Sequence, residues 1–414
     1  MKAARFLTQP ELVQQEFRRE LISIADWWVQ YAVDNERGGF YGEIGVDNRP
    51  NVNAPVGIIL LSRILWFFSE TVCHLRQFGV DVGAYEAAAE RAYKTLLRDF
   101  VDADFGGVYW EVDASGKPSA TKKQIYAQAF TIYAISAYFK MSANAAALNF
   151  AWQLFDLIEQ KGIDKQYQGY LEAFTRDWGV IDDLRLSEKD LNYPKSQNTH
   201  LHILEAYTAL HAVDPQTKSE KALRVNIELF DKFMINKSNF HLRMFMELDW
   251  QDRSPGFTYG HDIEAAWLIA RGLEVLGDSS YSEAITPSLL GIASTTLNEA
   301  LGEWGQIKDA FDAATQSINA DHVWWVQAEA MVGFLYAYQQ AGDEAYIAAA
   351  EGLWAFINKY QRDLTGGEWL WLSTLNTETS HVPNYKAGFW KCPYHNGRAM
   401  IEADNYLQKI RAQS

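Results

Sequence analysis

Residues 389–400 read FWKCPYHNGRAM and put Cys392 three residues ahead of His395. That spacing admits a thiolate nucleophile, a metal site or simply a packed helix start. Elsewhere, YGHDIEAAW sets His261, Glu264 and Trp267 at intervals of three, so they project from neighbouring positions on one helical face. A carboxylate one turn from an imidazole fixes its tautomer and raises its basicity, as a general base requires, although an ordinary ion pair at a helix start has the same spacing. In SQNTHLHILEAY, His200 and His202 are two apart and would point to opposite sides of a helix, so only one can face a shared cavity. Asn198 and His202, four apart, share a face, which leaves His200 a structural or supporting role. VWWVQAEAM places Trp325 and Glu329 four apart, an aromatic platform beside a carboxylate. Arg63 stands in the apolar run LLSRILWFF, where its burial is costly without a partner or a polar cavity. Tyr126 opens another such helix in KKQIYAQAF.

The chain has no HxxxH or HExxH helix, no GxSxG elbow, no phosphate-binding loop and no GxGxxG fingerprint. Proton transfer by imidazoles is the chemistry left, with Glu264 and Glu329 as a conceivable glycosidase pair.

These residues need elements that carry them from distant parts of the chain to one place. A turn-plus-aromatic signature recurs as ERGGFYGEI at Gly38, DFGGVYWEV at Gly106, QYQGYLEAF at Gly169 and LTGGEWLWL at Gly366, with weaker echoes near Asn239 and Gly302. Each echo is separated from the next by room for two helices, and the intervening stretches show apolar residues at helical spacing. Six helical hairpins closed into an (α/α)6 barrel account for all 414 residues as one domain, 1–414, with short β-hairpins or loops at one end. An open helical solenoid is the alternative. In the barrel, inner helices can aim their starts at one end of a central cavity, and the histidines singled out lie at predicted helix starts.

Composition narrows the partner. A formal charge of −16 without a basic cluster argues against nucleic acid. No apolar run is read as long enough to span a bilayer, and the N-terminus lacks a secretory h-region before Pro10, so a cytoplasmic location is expected. Two cysteines, Cys73 and Cys392, are expected to be free thiols. Aromatic residues make up 14% of the chain, and Trp and Tyr faces suit the C–H faces of sugars.

Taken together, GGFYGEI, SRILWFFS, NTHLHILEAYT, YGHDIEAAWL, VWWVQAEAMVGFLYAYQ and FWKCPYHNGR resemble the N-acylglucosamine 2-epimerase superfamily, and within it the cellobiose 2-epimerase branch. The resemblance implies an (α/α)6 barrel that opens the reducing-end ring, removes the C2 proton and returns it to the opposite face through a cis-enediolate, with no cofactor or metal. It implies that His261 and His395 are the acid/base pair, with Glu264 orienting His261, His202 contacting sugar oxygens and Arg63 holding the developing oxyanion. Tyr126, Asn198, Trp267, Trp325, Glu329 and Trp390 are then substrate-binding positions. The expected partner is a small-molecule sugar, and the expected assembly is a monomer or weak homodimer. Two departures bear on substrate: Gln197 in SQNTHLH, where members often carry Met, and GEWGQIKDAFDAATQS, expected to border the cavity mouth where a second ring would sit. An epimerase of free mannose and glucose, an aldose–ketose isomerase and an (α/α)6 glycoside hydrolase are the alternatives. The thiol of Cys392 is expected to be packed and idle.

Overall fold

The computed structural model describes residues 4–413. Among these, a one-turn helix at Arg5–Thr8 precedes twelve longer ones: α1 Pro10–Tyr31, α2 Ile58–Arg76, α3 Gly83–Thr95, α4 Ile125–Ser142, α5 Ala145–Leu157, α6 Gln197–Val213, α7 Thr217–Leu229, α8 Tyr259–Leu276, α9 Ser279–Ala300, α10 Trp324–Ala341, α11 Glu344–Phe356 and α12 Tyr394–Gln413. The even-numbered helices from α2 to α10 are apolar on most sides, as IYAQAFTIYAISAYF in α4 illustrates, and such a helix is stable only when surrounded. Each packs on the next, and α12 returns to α2, so the inner ring is closed. The odd-numbered helices wrap it, and the first, α1, lies against the last inner helix, tied by Gln14 and Arg18 to the buried Asp404 carboxylate. The closed (α/α)6 barrel replaces the open solenoid because every inner helix has two inner neighbours.

Inner and outer helices join by turns whose chemistry the sequence states. Gly277 and Gly342 end α8 and α10 with φ of 67° and 69°, a left-handed conformation that glycine adopts without steric cost, and Asp278 and Asp343 then cap α9 and α11.

At the other end of the barrel, α3, α5, α7 and α11 each finish in a π-helical turn, and a tight hairpin follows every outer helix. The paired residues are Val33 with Phe40, Val101 with Val108, Ile163 with Tyr170, Ile235 with Leu242, Leu301 with Ile307 and Arg362 with Trp369. They coincide with the six sequence echoes. The fourth residue of the next inner helix often clamps the hairpin. Gln128 bonds both backbone groups of Val108, Gln327 those of Ile307, and Asp262 accepts from Leu242 N–H. His200 does the same, its Nε2 accepting from Tyr170 N–H at 2.9 Å while Nδ1 donates to Ser196 O at 2.7 Å. His200 is thus a structural residue.

One sequence reading needs correction. Helix α2 is long and apolar enough to cross a membrane by length and composition, yet 89% of that stretch is buried inside the barrel. It is apolar because it is an inner helix with neighbours all round.

Candidate active site

The starts of the inner helices and the hairpin end of the barrel enclose a cavity of about 500 Å3. Arg63 from α2, Tyr126 from α4, Asn198 and His202 from α6, His261 and Glu264 from α8, Trp324 and Trp325 from α10 and His395 from α12 all line it. Loops complete the wall with Leu186–Asp190, Trp371, Pro383 and Trp390. Residues far apart in sequence thus converge because each sits in the first turn or two of an inner helix.

His261 and His395 face the same indole: the Trp325 ring centroid lies 4.8 Å from that of His261 and 5.5 Å from that of His395. A side chain at Gly260 would collide with this ring, so the glycine before His261 is what lets the indole approach. The two imidazoles have different support. His261 Nδ1 is 2.6 Å from Thr258 Oγ1, whereas His395 Nδ1 donates to Glu329 Oε1 at 2.7 Å. Burial, then the neighbouring His202 and Arg63, lowers His261 to about 3. Burial, then Arg63 and Arg398, holds His395 well below the ordinary histidine range. Both shifts favour the unprotonated ring, the form that accepts a proton, so the ring that donates in a turnover holds its proton against them.

Behind the histidines lies a buried ion cluster. Arg398, one turn after His395, reaches the carboxylates of Glu205, Glu264 and Glu329, the last at 2.7 Å, and bonds the Tyr394 hydroxyl. Glu205 also accepts from His202 Nδ1 at 3.0 Å and from Tyr394 Oη at 2.6 Å. Burial alone would raise Glu205, but Arg398 and His202 bring it down to about 2. Glu264 is pushed up to about 7 by burial and by the neighbouring Glu329 charge, with Arg398 only partly offsetting. The ligand atoms of Glu264, Glu329 and His395 lie within 4.8 Å of one another, close enough to share a metal ion. The Arg398 guanidinium is bonded to both carboxylates and so already holds a cation's place between them.

Arg63 is the contrasting case. It is buried, and its partners are neutral: Tyr126 Oη at 3.0 Å and the Trp390 carbonyl at 3.5 Å, with Cys392 Sγ at 4.0 Å. No carboxylate pairs with it among the described residues. Its charge is left free to act on a ligand.

The polar atoms without a protein partner point the same way. Arg63 Nε, Asn198 Oδ1, Glu264 Oε2 and Trp324 Nε1 are all buried and unbonded, and all belong to cavity-lining residues. Buried polar groups are normally satisfied. The cavity's polar and charged side chains stand beside several indoles, a combination that suits a polyhydroxylated ligand.

Four expectations change. Glu264 does not bond His261: its Oε1 goes to Arg398 and lies 4.0 Å from His395, and Thr258 holds His261 instead. Trp267 is no sugar platform at this end, because its indole N–H donates to Glu329 Oε2 at 3.1 Å behind the site. Glu329 is likewise a supporting group, its oxygens taken by Trp267, His395 and Arg398, which also removes the glycosidase pair. The segment GEWGQIKDAFDAATQS, residues 302–317, does not line the cavity; its strand Ala310–Asp312 pairs with Gly256–Thr258, and the 186–190 loop forms the wall. Glu205, Thr258, Trp371 and the ionic role of Arg398 were not singled out from sequence. Glu205 could have been, since it follows His202 by three. Cys73 and Cys392 are free, and burial raises the Cys392 thiol above its ordinary range, which keeps it protonated and inert.

Comparison with known proteins identifies the family. The family model described as N-acylglucosamine 2-epimerase matches residues 39–399. A cellobiose 2-epimerase of Bacteroides fragilis is 41% identical over 95% of this chain and 98% of its own, and one of Ruminococcus albus is 38% identical over 94% and 97%. The solved cellobiose 2-epimerase of Bacillus thermoamylovorans superposes with a TM-score of 0.89 at 35% identity, covering 95% of this chain and 99% of that one. A solved D-mannose isomerase shares the fold, with a TM-score of 0.79 at 20% identity. With its histidines, buried arginines and barrel in the arrangement described, the chain belongs to the N-acylglucosamine 2-epimerase family.

Proposed function

We propose that this protein is a carbohydrate 2-epimerase that interconverts glucose and mannose at the reducing end of a β-1,4-linked disaccharide such as cellobiose. The observation that carries the reading is the pair His261 and His395, delivered by α8 and α12 to one cavity and flanking one indole.

Epimerisation needs two bases, because a single one returns the proton to the face it came from. One imidazole takes the C2 proton of the opened aldose. The C2–H electron pair moves into C1–C2, and the carbonyl electrons move to O1, giving the enediolate. Arg63, buried without a carboxylate, is placed to hold that oxygen. The second histidine, protonated, gives its proton to the opposite face of C2, so each turnover leaves the proton on the other ring. Glu329 stabilises the His395 imidazolium through Nδ1. His202, held by Glu205, and Asn198 face the sugar oxygens. Trp371, Pro383 and the 186–190 loop add to the wall of a cavity of about 500 Å3, a size that supports a two-ring substrate.

Turnover of cellobiose in heavy water, followed by proton NMR, should produce the mannose epimer with deuterium at C2. His261→Ala and His395→Ala should each abolish the exchange. Failure of the wild-type protein to exchange C2 in cellobiose, mannobiose and mannose would refute the reading.

A further inference from the structure

The barrel is also open at the end away from the histidines. The C-terminal halves of α2, α4, α6 and α8, with α12, enclose a second cavity of about 570 Å3, larger than the catalytic one. Trp66 and Tyr133 line it as a stacked pair, centroids 5.3 Å apart and planes 16° from parallel. Among the described residues nothing hydrogen-bonds the Trp66 indole N–H, the Tyr133 hydroxyl or the side chains of Glu402 and Asn405, which share this wall. Two donors, a carboxylate and an amide thus stand around an aromatic surface.

The remaining charges at this end are paired. Glu70 holds Lys140 at 2.8 Å, and Arg271 holds Glu274 at 2.7 Å. With cations already neutralised and a chain charge of −16, an anion is disfavoured. A neutral ring with hydroxyls fits: C–H faces on the aromatic surface, hydroxyls to Glu402, Asn405, Tyr133 and Trp66.

A single layer of side chains separates the two cavities. Glu205 lines the far one, and its carboxylate holds His202, Tyr394 and Arg398. Trp66 meets the Tyr394 ring edge-on at 5.3 Å.

We propose that the far cavity is a second binding site, taking a neutral pyranose sugar. Binding there needs no turnover, so its test is independent of the epimerase reading.

The probe is methyl β-D-cellobioside, whose locked reducing end prevents reaction. The protein is labelled with 5-fluorotryptophan, and the fluorine resonances of Trp66 and Trp324 are assigned with Trp66→Phe and Trp324→Phe. Both resonances should shift saturably in the wild-type protein. Ala209→Phe, which fills the far cavity from its half-buried wall, should raise the sugar concentration needed to shift Trp66 by about tenfold, leaving the Trp324 titration and cellobiose turnover intact. Asn405→Ala carries the same comparison should Ala209→Phe fail to fold. A Trp66 resonance that stays still while Trp324 saturates overturns the proposal. So does a Trp66 titration unchanged by both variants, or a Trp66 response to tetramethylammonium in place of the sugar.

Discussion

Thr258 Oγ1 lies 2.6 Å from His261 Nδ1, and that contact comes at the expense of a helix cap. Thr258 occupies the N-cap position of α8 with extended backbone angles, yet its hydroxyl caps nothing there, whereas Ser196 accepts from Thr199 N–H at the start of α6. A threonine N-cap contributes about 1 kcal/mol to a helix. The diverted hydroxyl fixes Nδ1 and leaves Nε2 as the nitrogen that can take a carbon-bound proton. Thr258→Val should lower kcat by roughly ten- to a hundredfold, the usual range for losing a group that orients a reactive imidazole, while Thr258→Ser should retain it. Steady-state rates on cellobiose decide; wild-type kcat in the valine variant would remove Thr258 from the mechanism.

His395 is backed by a carboxylate where His261 is backed by a hydroxyl, so the two bases are unequal. Glu329→Gln keeps a hydrogen-bond acceptor but removes the charge that favours the His395 imidazolium. Its kcat should fall by about a hundredfold with little change in KM. The ring, already below the ordinary histidine range, should take up its proton at still lower pH. A pH–rate profile together with NMR titration of the His395 ring reads both effects. An unchanged profile would show that Glu329 serves packing alone.

The contrast between Glu264 and Glu329 shows where sequence reasoning reached its limit. Helical spacing tells which residues share a face, and it brought His261, Asn198, His202 and Trp325 correctly to one cavity. It is silent about depth. Trp267 is six residues after His261, roughly 9 Å further along the axis, so the shared face carries it past the site to the far cavity. Spacing is also silent about competition from another helix: Glu264 sits one turn from His261, but Arg398 arrives from α12 and takes its oxygen. Tertiary contacts of that kind, and wall residues supplied by loops such as 186–190 and Trp371, leave no periodic trace. The six-fold repeat was legible because every repeat must solve the same turn and hairpin problem.

Arg398 bonds the carboxylates of Glu205, Glu264 and Glu329, all of them buried. Removing one member of a buried ionic group leaves uncompensated charge in a poor solvent, which costs on the order of 3–5 kcal/mol. Arg398→Met should destabilise the fold by about that amount, measured by denaturant unfolding. Arg398→Lys should recover little, because a single ammonium lacks the planar fork that reaches several carboxylates. A methionine variant as stable as the wild type would mean that Glu264 and Glu329 take up protons at no cost.

Glu172 supplies a pH-dependent term in the support of α6. Its carboxyl accepts from Ser196 N–H at 2.8 Å and from Thr199 Oγ1 at 2.6 Å, beside the helix start that carries Asn198 and His202. Burial raises it to about 8, against which the hydrogen bonds from Thr199 and Ser196 act. Between the ordinary carboxylic pKa and about 8, the folded protein keeps a proton that the unfolded chain has released. Stability from this group is therefore complete below the unfolded pKa and declines as pH rises through that window. His261 acts in the opposite sense: lowered to about 3, it contributes stability above its unfolded pKa that is lost as pH falls. Glu172→Gln is neutral at every pH and preserves the acceptor for Ser196 N–H, so comparison with the wild type isolates the Glu172 contribution. The variant should gain in thermal midpoint relative to the wild type as pH rises from 5 to about 8. Parallel curves over that range would show that Glu172 is already ionised in the folded protein.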